Sequence, residues 1–214
     1  MGKGCLIVVD GGNGAGKGTC LAGLEQHVRG RGYDVIMTRE PGGTHIGERI
    51  RDILLDKSAL EMDATTELLL FAASRAQHVR EKIFPAIQAG KIVISDRFAS
   101  STISFQHYGR GLPMDLIIQL NEIALAGLKP SMTIILDLDP SVGLNRVTVR
   151  GAGLDRLEEE NIAFLERARL GYLEQAKEDP DRFAIIDASQ SLDVVLASAL
   201  KVVDKAIEEN AVAN

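Results

Sequence analysis

Only two cysteines occur in the 214 residues, Cys5 and Cys20. They provide no disulfide framework and no metal-ligand spacing, and both read as structural. No apolar run approaches the roughly 20 residues needed to cross a bilayer. A surplus of basic residues is missing too: 24 Lys and Arg stand against 30 Asp and Glu, a net charge of −6. A general nucleic-acid binder needs a basic face to displace counterions, so that class is set aside. Neither an internal repeat nor a low-complexity linker interrupts the chain. Met1-Gly2-Lys3-Gly4 leads straight into an apolar strand, without the long apolar region or small-residue cleavage site of a secretion signal. These absences predict a soluble, cytoplasmic protein with no nucleic-acid or membrane partner. A hydrophobic content of 45% suits one α/β domain over residues 1–214.

What is present alternates. Short Val/Ile-rich runs near 5–10, 33–38, 91–96, 132–138 and 182–187 read as strands buried on both faces. Helical patterns lie near 16–31, 44–56, 63–89, 97–108, 113–127, 140–150, 156–178 and 191–209. Strands alternating with helices predict a parallel sheet.

The stretch Val8-Val9-Asp10-Gly11-Gly12-Asn13-Gly14-Ala15-Gly16-Lys17-Gly18-Thr19 carries the chemistry. A β-branched run stops at glycines and a lysine follows, which predicts a strand, a phosphate-cradling loop and a helix start. Glycine reaches positive φ without a Cβ clash, so the loop from Gly11 to Gly16 can turn backbone N–H groups toward a polyphosphate. The helix that follows aims its positive end at the same anion. Lys17 is placed to reach the outer phosphates, and the Thr19 hydroxyl to contact a metal-bound phosphate. Gly18 interrupts the commoner G-x-x-x-x-G-K-[ST] pattern; the GKGT ending is shared with nucleoside monophosphate kinases of the adenylate kinase type.

In a parallel sheet the C-terminal strand ends share one edge, where ligands bind. Thr38-Arg39-Glu40-Pro41-Gly42-Gly43-Thr44 follows the second predicted strand, and Asp96-Arg97-Phe98 closes the third. Arg39 and Arg97 are therefore expected at one cleft, holding a second phosphate opposite the loop. Phe71 and Arg75 are i and i+4 on one helix face, so a ring and a guanidinium project together. A flat base could stack on Phe71, which could equally extend the core stripe of Leu68, Leu69 and Leu70.

TREPGGT at 38–44, LLLFAASRAQHV at 68–79, DRF with a following SS-T-x-x-FQ from 96 to 106, and LDLDP at 136–140 with RGAGLDRLE at 150–158 occur in this order. Across nearly its whole length the chain resembles the bacterial thymidylate kinases. The resemblance implies a five-stranded parallel sheet of order 2-3-1-4-5 with helices on both faces. It also implies transfer of the γ-phosphoryl group of ATP to dTMP, with Mg²⁺ as cofactor and a homodimer as the assembly.

In that reading ATP sits on Gly11, Gly12, Asn13, Gly14, Ala15, Gly16, Lys17, Gly18 and Thr19. Thr19 and Asp96, the latter through water, attend the metal. Asp10, Arg39, Pro41, Phe71, Arg75, Arg97, Ser101, Phe105 and Gln106 form the dTMP pocket, with Phe105 where a tyrosine is frequent. The phosphate loop contains no arginine. A lid near 146–157 is therefore expected to supply Arg146, Arg150 and Arg156, which join Lys17, Arg97 and Asp96 as catalytic residues. Asn13 stands where the family commonly has a carboxylate, and Thr148 where many members have a further arginine. Another nucleoside monophosphate kinase, or a nucleotide-binding switch using the same loop, remains the alternative.

Overall fold

A computed structural model describes residues 4–59, 61–150, 156–157 and 159–212. Strands β1 (Cys5–Gly11), β2 (Val35–Arg39), β3 (Ile92–Asp96), β4 (Met132–Asp137) and β5 (Phe183–Asp187) form a sheet of order β2-β3-β1-β4-β5. Every pairing is parallel. The architecture expected from the sequence is the one observed.

Burial of every residue of β1 follows from cover on both faces. Side chains alternate across a strand. Cys5, Ile7 and Val9 point to one side, where α1 (Lys17–Gly30) contributes Leu21, Leu24 and Val28 and α9 (Leu192–Val212) contributes Val195, Ala199 and Val203. Leu6 and Val8 point to the other, against Val79, Ile83 and Phe98. A third cluster joins Phe105 and Ile135 to Phe164, Leu165 and Tyr172 of α8 (Ile162–Glu178).

On the edge beside β2 lie α2 (His45–Leu55) and α3 (Ala64–His78). Thr44 caps α2 by accepting from Gly47 N–H, and Asp63 caps α3 by accepting from Thr65 and Thr66. The helix expected over 63–89 is not uniform. It widens to a π-type turn at Val79–Ile83 before α4 (Phe84–Gln88). Pro85 has no N–H to give the preceding turn, and the wider turn accommodates its ring. After β3, α5 (Ala99–Thr102) runs into a second π-type turn at Ile103–Gly109, followed by α6 (Met114–Leu125) and, beyond β4, α7 (Pro140–Arg150). The last helix pattern before β5 was expected from 156, but α8 starts at Ile162, because the Asn161 side chain accepts from Phe164 N–H at 2.9 Å and ends the turn before it.

The loop between β1 and α1 is seated backbone on backbone against α7. A Cβ built at Gly14 would lie 2.2 Å from Gly143 O, and one at Gly143 would lie 2.2 Å from Asn13 O. Gly14 and Gly16 also hold φ of 74° and 89°, which glycine alone adopts without strain. Because neither backbone can yield cheaply, Gly143→Ala is expected to destabilise by about 1–3 kcal/mol, read as a lower midpoint in thermal unfolding. Wild-type stability in that variant would mean that loop and helix are not in contact.

Candidate active site

The C-terminal strand ends open into a cavity of about 590 Å³. One end is lined by Asn13, Gly14, Gly16, Lys17, Gly18 and Thr19 of the glycine loop, the other by Pro41, Phe71, Phe105 and Gln106. Asp96, Arg97 and Ser101 lie on its wall, and Arg51, Leu55, Val147 and Leu157 also border it. Gly11, Gly12 and Ala15 complete the loop without lining this cavity. Lys17 Nζ donates to Gly11 O at 3.1 Å and to Gly12 O at 2.8 Å, so the ammonium lies over the loop it follows.

Three buried carboxylates, Asp10 and Glu67 behind the cavity and Glu40 on its lining, each hold a side chain that faces it. The first is Asp10, fully buried at the end of β1. It accepts from Gly11 N–H at 2.9 Å, Ser100 Oγ at 2.7 Å, Ser101 Oγ at 2.8 Å, Tyr172 OH at 2.7 Å and Arg97 Nη1 at 3.2 Å. The carboxylate thus has no free face for a ligand. Contrary to the sequence expectation, it supports the pocket from behind. Burial first, and then the Asp10 charge, push the Tyr172 hydroxyl well above the usual phenol range, so it stays a donor.

Arg97 also donates to Asn13 Oδ1 at 2.7 Å, and its guanidinium lies 5.3 Å from the Phe105 ring centroid. Its φ of 67° is unusual for a non-glycine residue, a conformation that costs about 1 kcal/mol or more. The Arg97 N–H donation to Val9 O at 2.9 Å helps hold that backbone, which folds the chain back toward the loop. Asn13 adds a neutral acceptor, so Asp10 remains the carboxylate paired with this cation.

Glu40, in the loop after β2, is the second carboxylate. Its Oε2 accepts from Arg75 Nε at 2.7 Å, and its Oε1 from His78 Nδ1 at 3.0 Å. Arg75 is 1% exposed. Its Nη1 donates to Thr102 Oγ1 and Asn121 Oδ1, each at 2.9 Å, and its Nη2 to Phe98 O at 3.1 Å. A guanidinium has five N–H groups. Four are committed, and one Nη2 hydrogen is left for the cavity that Arg75 lines.

The third is Glu67, on the first turn of α3, which accepts from Gln106 Nε2 at 2.9 Å, from Arg110 and from Arg156.

Three expected arginines, Arg39, Arg156 and Arg146, do not line the cavity. Arg39 ends edge strand β2 with its side chain 54% exposed and paired to Glu48 at 2.9 Å. Strand alternation explains this: Thr38 turns inward to His78, so its neighbour turns out. Arg51 takes the place at the cavity, its Nη1 donating to Pro41 O at 2.9 Å. The signal was in the sequence: Gly47, Arg51 and Leu55 are i, i+4 and i+8 on the inner face of α2.

Arg156 likewise points away from the phosphate loop. Its Nη2 donates to Glu67 Oε2 at 2.6 Å and its Nε to Leu54 O at 2.9 Å. Arg146 does reach the loop, with Nη1 3.4 Å from Gly14 O and 3.2 Å from Ala188 O. The Arg150 side chain and residues 151–155 lie outside the described residues.

Asp96 differs from the other carboxylates. Its Oδ1 is the one buried side-chain oxygen or nitrogen without a partner among the described residues, and it borders the cavity near Lys17 and Thr19. Among those residues no cluster of three or more acidic, His or Cys side chains could hold a metal alone. A hydrated divalent ion arriving with a nucleotide phosphate suits that arrangement, since Mg²⁺ is usually bound by one or two carboxylates and phosphate oxygens.

A parallel sheet, a glycine loop opening a helix, and a cavity whose far end is lined by a ring and an amide define a phosphate-loop kinase. The thymidylate kinase family model matches residues 9–199. A thymidylate kinase of Geobacillus sp. (strain WCH70) is 45% identical over 207 residues, 96% of this chain and 99% of the relative. Thymidylate kinases of Lactobacillus delbrueckii subsp. bulgaricus and Deinococcus radiodurans are each 45% identical, over 97% and 90% of this chain and 99% and 93% of theirs. The chain belongs to the thymidylate kinase family.

Proposed function

We propose that the cavity holds ATP and dTMP end to end, and that the γ-phosphoryl group passes directly between them in line. The reaction is the family's, ATP-dependent phosphorylation of dTMP to dTDP on the route to dTTP. The continuity of the glycine loop with the Phe71 pocket in one cleft carries this reading. The acceptor phosphate is already an anionic nucleophile near neutral pH. Catalysis therefore needs alignment and charge neutralisation more than a general base.

Lys17 and the loop N–H groups bind the donor phosphates. Arg97 and Arg51 meet the acceptor phosphate, Phe71 stacks the base, and Pro41 and Phe105 close the pocket around it. Ser101 joins Asp10 in orienting Arg97, bonded to both. Arg146, and Arg150 from the lid of residues 146–157, complete the charge shell when the site closes. Asp96, through water, and Thr19 would hold Mg²⁺, which would supply neutralising positive charge. The protein acts in the cytoplasm, and no helix among its described residues is long and apolar enough to cross a membrane. It works as a homodimer through α3 and α6, where Leu69, Ile118 and Ile123 are exposed.

A coupled assay of ADP formation across dTMP, dUMP, AMP and CMP with ATP and Mg²⁺ tests the reaction, with dTMP the preferred acceptor; preference for AMP or CMP overturns it. Asp96→Asn separates the metal role from folding. It is expected to lower kcat about 10²-fold or more and to raise the Mg²⁺ requirement. Its unfolding temperature should be unchanged or higher, because an unpartnered buried carboxylate is removed. Near-normal kcat at low Mg²⁺ would exclude Asp96 from the metal's surroundings.

A further inference from the structure

Glu67 is 1% exposed, and phosphoryl transfer gives it no task. Its Oε1 accepts from Gln106 Nε2 at 2.9 Å and Arg110 Nε at 3.2 Å; its Oε2 accepts from Arg110 Nη2 at 3.1 Å and Arg156 Nη2 at 2.6 Å. A carboxylate offers about four lone-pair sites, and these bonds fill them. The two-point grip of Arg110 fixes the carboxylate plane. Burial is the largest influence on its titration and opposes the charge. The hydrogen bonds from Arg110, Gln106 and Arg156 outweigh burial and hold the carboxyl below the usual range.

An ionised carboxylate can only accept, so the Gln106 amide must turn its NH₂ toward Glu67. The amide oxygen is left on the opposite side, with no bonding partner among the described residues. Gln106 is 1% exposed, and since Asp96 Oδ1 alone is a fully buried side-chain atom without a partner among the described residues, the amide oxygen keeps a small open edge. Gln106 lines the cavity, and its carbonyl opens there.

We propose that Glu67 is a positioning residue that locks the Gln106 carbonyl toward the acceptor base, selecting a ring N–H flanked by carbonyls over a ring nitrogen that accepts. This rests on the dTMP reading above. The uncommitted Arg75 N–H supplies the matching donor for a neighbouring carbonyl. Thymine offers a carbonyl and an N3–H to that pair. Cytosine offers an amino group and a bare nitrogen, so donor would face donor and acceptor would face acceptor. Without Glu67 the amide can turn over and serve either ring.

The test is steady-state kinetics with dTMP, dUMP and dCMP for the wild type, Glu67→Met, and the swap Glu67→Gln with Gln106→Glu. Glu67→Met is expected to raise KM for dTMP about tenfold and to narrow the dTMP-over-dCMP preference by a similar factor. KM for ATP should stay within about twofold. In the swap, the amide at 67 keeps its oxygen for Arg110 Nη2 and Arg156 and gives up the Arg110 Nε bond, while its NH₂ donates to the carboxylate at 106, whose other oxygen faces the cavity as a fixed acceptor. Preference for dTMP should return to within about threefold of wild type.

Wild-type preference in Glu67→Met, or equal losses for ATP and dTMP, overturns the proposal. If Glu67→Met does not fold, the swap decides: retained preference supports the proposal, and lost preference in a folded swap overturns it. A wild type inactive on dTMP removes the underlying reading instead.

Discussion

Lys17→Ala is expected to lower kcat by about 10³-fold or more while leaving the fold intact. The ammonium touches Gly11 O at 3.1 Å and Gly12 O at 2.8 Å, both on a loop with access to the cavity. Losing those bonds costs about 1 kcal/mol, because water can replace the donor. The loss in the transition state is far larger. Lys17 is the cation carried by the glycine loop itself, so charge shifting along the transferred group loses its nearest neutralising partner, and a neutral side chain offers nothing to meet it. The check is a coupled ADP assay alongside thermal unfolding. A kcat within tenfold of wild type would remove Lys17 from the reaction, and a collapse in unfolding temperature would make it structural.

Asp10→Ala is expected to damage stability and activity together. The carboxylate gathers five donors at the end of β1, among them Arg97 and the Tyr172 hydroxyl. Removing it leaves a guanidinium and several hydroxyls uncompensated in a buried place, a loss of about 3–5 kcal/mol. At roughly 2–4 °C per kcal/mol for a chain this size, the unfolding midpoint should fall by roughly 6–20 °C. Arg97 would lose the partner that aims it, so kcat/KM for dTMP should fall about 10²-fold or more even where the protein is folded. Asp10→Asn keeps the volume but turns an NH₂ toward existing donors, and should recover part of the stability and little of the activity. Wild-type kinetics in either variant would show that Arg97 needs no such support.

These expectations share a cause. The side chains that line the cavity are held by buried carboxylates: Asp10 holds Arg97, Glu40 holds Arg75 and Glu67 holds Gln106. A buried charge pair adds little net stability, but breaking one is costly. Such pairs fix direction, and direction is what positioning catalysis requires. The positive φ of Arg97 fits the same account, since backbone strain persists where surrounding bonds over-determine it.

The strand, loop and helix around Gly11–Thr19 were legible because they are local: a two-faced apolar run, glycines where the chain must turn, and a lysine behind them. The parallel sheet followed from alternation, and its strand order from likeness to a family. The direction of Arg39 was not legible, and that of Arg51 showed only as a helical period. Arg39 and Arg51 lie on consecutive elements, yet strand pleat turns Arg39 to solvent and helix period turns Arg51 into the cavity. The resemblance made Asp10 a ligand contact, because its five donors, from residues up to 162 positions away, are not visible along the chain. Glu67 carried no motif at all; its role appears only where Gln106, Arg110 and Arg156 converge.

By itself, the sequence determined where a phosphate-cradling loop would form and which segments would be strands of a parallel sheet, since those follow from backbone freedom and hydrophobic period over short spans. Only the tertiary structure decided which charges face the ligands and which stand behind them, because hydrogen-bond partners are chosen by distance in space and not along the chain.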